Sequence, residues 1–207
     1  MKRLWFFATW VVAVIALVSL SATSSLAWQQ EDEIHFKLKR AVGLVSSGCL
    51  PDAGGKVSIE SEGPVEDMTV RVFGLPPNTD FDFFVIQIPH APFGLAWYQA
   101  DIETNEQGRG SGRFIGRFNI ETFIVSQGSV DSPIVFNNAF PDVCPGPTTG
   151  PIHTYHLGLW FNDPNDAANA GCPNTVTPFN GEHDAGIQAL NTSDFPDLQG
   201  PLIQLGQ

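Results

Sequence analysis

Apolar and polar side chains alternate along much of this chain from residue 34 onward, and this alternation restricts its fold more than any other feature. In the first such segment the apolar residues assigned to one face are Ile34, Phe36, Leu38, Val42 and Leu44. Side chains on a β-strand point to opposite faces in turn, so this pattern predicts a strand with one buried face. The chain is therefore expected to consist mainly of strands.

Further strands are predicted over residues 57–60, 68–72, 81–88, 95–102, 114–124, 134–136, 152–161 and 187–190. Both faces of 81–88 are apolar, which indicates a strand that is buried on both sides. Clusters of Gly, Pro, Asn and Asp separate these segments, as is typical of an antiparallel sandwich or barrel. One short helix is expected over 163–171, because Asp163 can cap it, Pro164 suits its first position and Gly171 its exit.

The segment from Val70 to Val85, VRVFGLPPNTDFDFFV, resembles the L-x-P-x-T-x-Y-x-x-x-V corner of fibronectin type III modules. This resemblance implies an immunoglobulin-like sandwich in which the segment crosses between the two sheets. Phe81 stands where that family has its corner tyrosine, so the hydroxyl-to-backbone bond of a tyrosine corner is missing. The predicted fold class is all-β: an antiparallel immunoglobulin-like β-sandwich with long loops and one short helix.

The first 27 residues have the pattern of a secretory signal peptide. Lys2 and Arg3 precede an almost wholly apolar run over residues 4–20, and small residues lead to Ala27. This order predicts cleavage after Ala27 and a single secreted domain over 28–207. The alternative is an uncleaved anchor, because the apolar run approaches the ~20 residues that span a bilayer. No second run of that length follows, so no membrane contact is expected after cleavage.

The charge balance excludes one large class of partner. The chain carries 10 Lys and Arg against 22 Asp and Glu, a formal net charge of −12. Sequence-independent binding of nucleic acid relies on Lys and Arg at phosphates, so a nucleic-acid partner is not expected.

Three cysteines allow at most one disulfide, and export makes oxidation plausible. Cys144 and Cys172 both lie in turn-rich loops and are each followed by Pro, whereas Cys49 ends the first predicted strand. The sequence therefore favours a Cys144–Cys172 bond.

Histidines and carboxylates concentrate near the C-terminus, where they include His153, His156 and His183. Imidazole nitrogens bind divalent transition metals, so these three residues are the candidate metal ligands, and no other cofactor is expected. Their spacing lacks the H-E-x-x-H pattern of a zinc metalloprotease. On a strand, His153 and His156 would also point to opposite faces.

Aromatic residues supply the second candidate site. Trp97 and Tyr98 are adjacent, and Trp160 precedes Phe161, so one ring of each pair is expected to face away from the core. Exposed rings on an acidic sandwich suit stacking against carbohydrate, which makes Trp97, Tyr98 and Trp160 candidate ligand-binding residues. The alternative is that these rings fill the core, since aromatic residues are favoured in strands.

Three functions follow from these features. The first is an exported, non-enzymatic surface or extracellular protein that serves adhesion or ligand recognition, with a glycan or a cell surface as partner. The second is an extracellular metal-binding protein that uses the C-terminal histidines. The third is a secreted hydrolase, for which no nucleophile–base pair can be named. Asn191, in an N-x-T/S triplet, is also a potential glycan acceptor.

Overall fold

The fold is described by a computed structural model that covers residues 33–118, 122–123, 136–137, 144–145, 152–178 and 183–205. The long strands are β1 (Glu33–Arg40), β2 (Gly54–Ser61), β3 (Glu66–Phe73), β4 (Asp80–Ile86), β5 (Ala96–Glu103), β6 (Gly110–Gly116), β11 (His156–Phe161) and β12 (Gln188–Asn191). Four short strands are β7 (Thr122–Phe123), β8 (Phe136–Asn137), β9 (Cys144–Pro145) and β10 (Ile152–His153). The helices are α1 (Val42–Ser47), α2 (Pro164–Asn169) and a 3-10 turn (Pro201–Leu205). The predicted all-β antiparallel class is confirmed.

Eight strands form one antiparallel sheet in the order β5-β4-β11-β12-β1-β2-β3-β6. Strand β1 divides this sheet into two halves. Its residues from Glu33 to Leu38 pair with β2, whereas Lys39 and Arg40 pair with β12. We call β1, β2, β3 and β6 sheet A, and β12, β11, β4 and β5 sheet B. The two remaining pairs are β10 with β7 and β8 with β9.

The two halves bury their inner faces in one hydrophobic cluster. Sheet A contributes alternate residues such as Ile34, Ile59 and Val70, and sheet B contributes residues such as Phe83 and Leu159. Burial of apolar surface at roughly 25 cal/mol per Å² makes this shared core the main stabilising contribution. The alternation predicted for 34–38, 57–60 and 68–72 is therefore confirmed, and the arrangement is compatible with a sandwich or a barrel.

The corner after β3 carries the chain from sheet A to sheet B, as predicted for residues 70–85. Thr104 holds this corner: its hydroxyl accepts a hydrogen bond from the Thr79 amide at 3.0 Å and donates one to the Pro76 carbonyl at 2.6 Å. Phe81 is fully buried in the core. A threonine directly after β5 thus holds this corner through hydrogen bonds to the backbone.

Two local predictions were wrong in detail. The strand expected to continue through Val42 and Leu44 stops at Arg40, and helix α1 follows, so that Leu44 is buried while Val42 is 72% exposed. The described residues therefore contain two short α-helices, α1 and α2, whereas the sequence predicted one. The strand expected over 152–161 is split into β10 and β11. Helix α2 lies where predicted, and Asp163 caps it by accepting a hydrogen bond from the Asn165 amide at 2.7 Å.

The disulfide joins Cys49 to Cys172, with 5.3 Å between their Cα atoms, so the predicted Cys144–Cys172 bond is wrong. Helix α1 is the physical reason. It turns the chain after β1 and ends at Gly48, which places Cys49 beside the hydrophobic core instead of at the tip of a strand. Cys172 follows α2 and is also buried, so the bond ties the ends of the two helices together.

The expected signal peptide over residues 1–27 lies outside the described residues. Within the described ranges, no helix is both long enough and apolar enough to cross a membrane.

Reduction of the Cys49–Cys172 bond should destabilise the protein strongly. The two cysteines are 123 positions apart, and a loop of this size restricts the unfolded chain by roughly 5 kcal/mol. Thermal unfolding with and without reductant should therefore show a large loss of stability, and Cys49→Ser should reproduce it. Cys144→Ser is the matched control and should leave the sensitivity to reductant intact. A peptide map under non-reducing conditions that links Cys144 to either partner would contradict this pairing.

Candidate functional site

A row of polar side chains crosses the outer face of sheet B. The strand register places Asp101 opposite Asp82, Asp82 opposite Trp160, and Trp160 opposite Gln188, on four neighbouring strands. Their sequence neighbours, such as Phe81, lie in the shared core. Because side chains alternate along a strand, these four residues face away from that core. We call Asp101, Asp82, Trp160 and Gln188 the polar row.

Three members of the polar row are buried and incompletely hydrogen-bonded. Asp82 is 0% exposed, Trp160 4% and Gln188 7%. Among the described residues, both carboxylate oxygens of Asp82, Nε1 of Trp160 and Nε2 of Gln188 are the buried side-chain atoms that have no hydrogen-bond partner. Buried polar atoms without partners are rare in folded proteins. Their concentration in one cross-strand row marks this face as the candidate site.

Solvent-exposed groups surround the buried carboxyl of Asp82. The Tyr98 hydroxyl donates a hydrogen bond to Oδ1 of Asp101 at 2.7 Å. Nε2 of His183 lies 3.7 Å from Oδ2 of Asp82, and the His183 side chain is 42% exposed. Tyr98 is 41% exposed. The site therefore combines a buried acceptor with a rim that a ligand in solution can reach.

Burial raises the pKa of Asp82 from its ordinary value of 3.8 to about 6, because an ionised carboxylate loses hydration there. The neighbouring Asp101 carboxylate raises the pKa of Asp82 further, whereas the His183 imidazole opposes the shift. Burial, together with the Asp101 carboxylate, also raises the pKa of the Tyr98 hydroxyl. The Tyr98 hydroxyl therefore stays protonated at neutral pH.

An aromatic cluster fixes the position of Trp160. Its ring packs edge-on against Phe84, with centroids 5.4 Å apart, and against Phe93, with centroids 5.0 Å apart. Gly158, two residues earlier on β11, leaves the space that the indole occupies, since a Cβ there would collide with the ring and lie 2.9 Å from Nε2 of Gln188. Glycine at this position therefore allows Trp160 and Gln188 to share the face.

The structure separates the predicted aromatic residues into two groups. Tyr98 pairs with Phe84 and Trp97 with Val85, so Tyr98 lies on the outer face of sheet B and Trp97 on the opposite side of β5. Trp160 faces outward as expected, although it is buried beneath its aromatic neighbours. Tyr98 and Trp160 thus belong to one site, and Trp97, at 38% exposure, lies apart from it.

The three candidate histidines lie in three different settings. His153 is in β10, which pairs with β7, and His183 approaches Asp82. His156 is fully buried on β11. In the described part of the chain, no group of three or more His, Cys, Asp or Glu side chains could hold a metal ion. The structure therefore does not bring the predicted ligands together.

Both ring nitrogens of His156 are used within the fold. Nε2 must donate to the backbone carbonyls of Asp197, at 2.8 Å, and Pro196, at 3.1 Å, because carbonyl oxygens only accept. Nδ1 then accepts from the Thr192 hydroxyl at 2.8 Å. Burial lowers the pKa of His156 to about 4, so the ring is neutral at physiological pH. This histidine fastens the C-terminal segment to β11.

The Asn191 side chain is not available to carry a glycan in this fold. It is 2% exposed, and its Nδ2 donates to the Pro89 carbonyl at 2.9 Å and to Oε1 of Gln188 at 3.0 Å. A glycan would be attached to this same nitrogen. The sequence triplet is therefore satisfied by a buried structural amide.

Asp82, Asp101 and Gln188 were not identified from the sequence. Asp82 carried one usable signal, since it interrupts the apolar run Phe81–Asp82–Phe83–Phe84 of a strand expected to be buried on both faces. A charge in such a strand is rarely fully buried without a partner.

Comparison with protein-family models gives no match, and comparison with curated proteins gives none at a significant level.

Replacement of Asp82 by Asn should change how stability depends on pH. The folded-state pKa of about 6 lies above the ordinary 3.8, so the folded chain binds the proton more tightly. The free energy of unfolding therefore falls as pH rises from about 4 to about 6, and Asp82→Asn should remove that fall. Relative to the unmodified chain, the variant should gain on the order of 1–3 kcal/mol between pH 4 and pH 7 in urea unfolding. The exposed Asp52→Asn is the control, and equal pH profiles for all three proteins would refute the assignment.

Gly158→Ala should displace Trp160, because the added methyl group overlaps the indole. Overpacking of this kind costs about 1–3 kcal/mol. The expected result is a lower midpoint of unfolding together with altered tryptophan fluorescence. Gly63→Ala is a useful comparison, since its Cβ would meet no atom within 4 Å, although its φ of +79° disfavours alanine. It should affect stability without the fluorescence change.

Proposed function

We propose that the protein is an exported, non-enzymatic recognition protein that binds a glycan on the outer face of sheet B. The observation that carries this proposal is the polar row, where four buried polar atoms lack partners among the described residues. Adhesion or recognition at a surface requires such a site and no reaction chemistry.

The chemistry of the row suits a polyhydroxylated ligand. Sugar hydroxyl groups both donate and accept hydrogen bonds, so one ring can donate to the exposed Asp101 carboxylate and bond to the His183 imidazole at the rim of the row. The exposed ring of Tyr98 offers an apolar face to the C–H groups of a sugar, while its hydroxyl stays bonded to Asp101. A few convergent polar groups beside aromatic rings are a frequent composition of ligand sites.

Export is supported by two independent features. The N-terminal pattern predicts cleavage after Ala27. The Cys49–Cys172 bond fits an oxidising compartment, since disulfides persist mainly outside the cytosol. The corner between β3 and β4, which carries the chain from sheet A to sheet B, further supports the immunoglobulin-like architecture that its sequence suggests.

A secreted hydrolase is the second candidate, and one observation favours it. A carboxyl group whose pKa is raised by burial can act as a general acid, and Asp82 is such a group with a second carboxyl group, Asp101, directly opposite it on β5. The full burial of Asp82 opposes this role, because substrate must reach a catalytic acid. Metal binding by His153, His156 and His183 remains the other alternative, and it requires His156 to give up two hydrogen bonds to the backbone.

Glycan binding should depend on Tyr98 and not on Trp97. Screening the purified chain against an array of neutral oligosaccharides should identify a ligand, and titration should then give its affinity. Tyr98→Ala and Asp101→Asn should each weaken binding by roughly tenfold, because each removes an exposed contact at the rim. Trp97→Ala, next to Tyr98 but on the opposite side of β5, is the matched control.

A loss of affinity in Trp97→Ala alone would place the ligand off the polar row and contradict the proposal. Slow cleavage of the bound oligosaccharide that is abolished by Asp82→Asn would favour the hydrolase instead. Elemental analysis of untagged protein that finds stoichiometric metal would favour the metal-binding alternative.

A further inference from the structure

The outer face of sheet A carries a row of cations on three adjacent strands. Lys37 pairs with Lys56, and Lys56 pairs with Arg71, in direct cross-strand register. The next residue across, on β6, is Ser111. All three cationic residues are exposed, and their sequence neighbours, such as Val57 and Val70, lie in the core. We call Lys37, Lys56 and Arg71 the basic row.

This arrangement is unfavourable for the isolated sheet. Like charges directly opposite each other on neighbouring strands are destabilising. Within the described residues, none of the three side chains forms a salt bridge, although other cations do: Lys39 pairs with Asp194, and Arg113 pairs with Asp67. In a chain with more than twice as many acidic as basic residues, the basic row is therefore a local excess of positive charge.

Carboxylates on the same face lie too far along the strands to neutralise the row. Glu33, Glu60 and Asp67 form a second cross-strand row, four residues from the basic row on each strand. At about 3.4 Å per residue, the backbones of the two rows are roughly 14 Å apart. This exceeds the Debye length of about 8 Å at physiological ionic strength. The face is thus positive at one end and negative at the other.

A groove of about 910 Å³ opens at the positive end. Lys56 and Arg71 line it together with Arg109 from the β5–β6 turn. Arg109 also lacks a salt bridge to any described residue, although Glu103 and Glu106 line the same groove. The remaining polar lining comes from Asn78, Thr104, Asn105 and Ser111. Phe73, at 40% exposure, adds an aromatic surface.

We propose that this groove binds an acidic oligosaccharide through its carboxylate groups, at a site separate from the polar row on sheet B. The planar guanidinium groups of Arg71 and Arg109 can each bind a carboxylate with two parallel hydrogen bonds. Lys56 and Lys37 then receive the next charge along the ligand, because neighbouring strands are about 4.8 Å apart, comparable to the length of one sugar ring. Hydroxyl and amide groups of the lining bind the sugar hydroxyls, and Phe73 contacts the ring face.

The charge of the whole chain favours this ligand over a nucleic acid. A formal net charge of −12 repels a continuous phosphate backbone, and only three cations line the groove, beside two glutamates. A short carboxylated oligosaccharide has a lower charge density and presents the hydroxyl groups that the lining can bind. Its recognition needs a few well-placed cations and no extended basic surface.

The test compares trigalacturonate with its methyl ester, which has the same sugar rings without the charges. Calorimetric titration at 50 mM NaCl should show binding of the acid form only, and 500 mM NaCl should weaken it by roughly tenfold or more. Arg71→Gln and Lys56→Gln should each weaken binding by roughly tenfold, the usual cost of a lost charged hydrogen bond. Glu106→Gln removes a repulsive charge from the groove and should strengthen binding, a gain that misfolding cannot produce.

Two controls separate this site from the proposed site on sheet B. Lys39→Gln removes a cation outside the groove and should leave trigalacturonate binding unchanged, as should Tyr98→Ala. Equal binding of the methyl ester, or full affinity in both Arg71→Gln and Lys56→Gln, would overturn the proposal. Tighter binding of a single-stranded oligonucleotide of equal charge, lost in the same variants, would overturn it in favour of a nucleic-acid site.

Discussion

The fold depends on one strand that belongs to both halves of the sheet. β1 pairs with β2 as far as Leu38 and with β12 from Lys39 onward. The sheet therefore bends between these two residues, where β12 replaces β2 as the partner of β1. Gly55 lies opposite Leu38, and a Cβ there would be 3.1 Å from the Leu38 side chain. Glycine lets the backbones approach at this bend. The inner faces then enclose a single core, and the chain leaves β1 directly into α1 and the disulfide.

This bend gives the molecule two outer faces of different character. The face of sheet A is solvated, and its strands alternate buried and exposed residues along their length. The face of sheet B is covered by a second aromatic cluster around Trp160, so β4 and β11 are buried on both sides. Charge on sheet A is therefore screened by water, whereas charge on sheet B acts in a medium of low dielectric. The raised pKa of Asp82 is a direct result of that second layer.

Features of the fold that depend on short-range sequence patterns were predicted correctly. Features that depend on contacts between residues far apart in the chain were missed. Alternation located the strands, and residues 163–171 located α2 through its cap. Helix α1 was missed because Val42 and Leu44 fit a period of two as well as a helical turn, and only packing decides between them. The disulfide was wrong for the same reason, since α1 positions Cys49. The polar row joins strands up to about 100 positions apart, so its existence depends on a register that no local pattern contains.

At both candidate sites a residue breaks a general rule of protein structure that the residues around it follow. On sheet B the departure is a buried carboxyl without a hydrogen-bond donor among the described residues, and on sheet A it is Lys56 directly between Lys37 and Arg71. Each departure opposes folding, since a hydrophobic residue at 82 or a carboxylate at 56 would fit its neighbours better. In a chain whose strands, caps and core are otherwise mutually consistent, such local conflicts are expected at functional positions. The rim of the polar row is complementary in chemistry to hydroxyl groups and the basic row to carboxylates, so the two faces suit two different ligands.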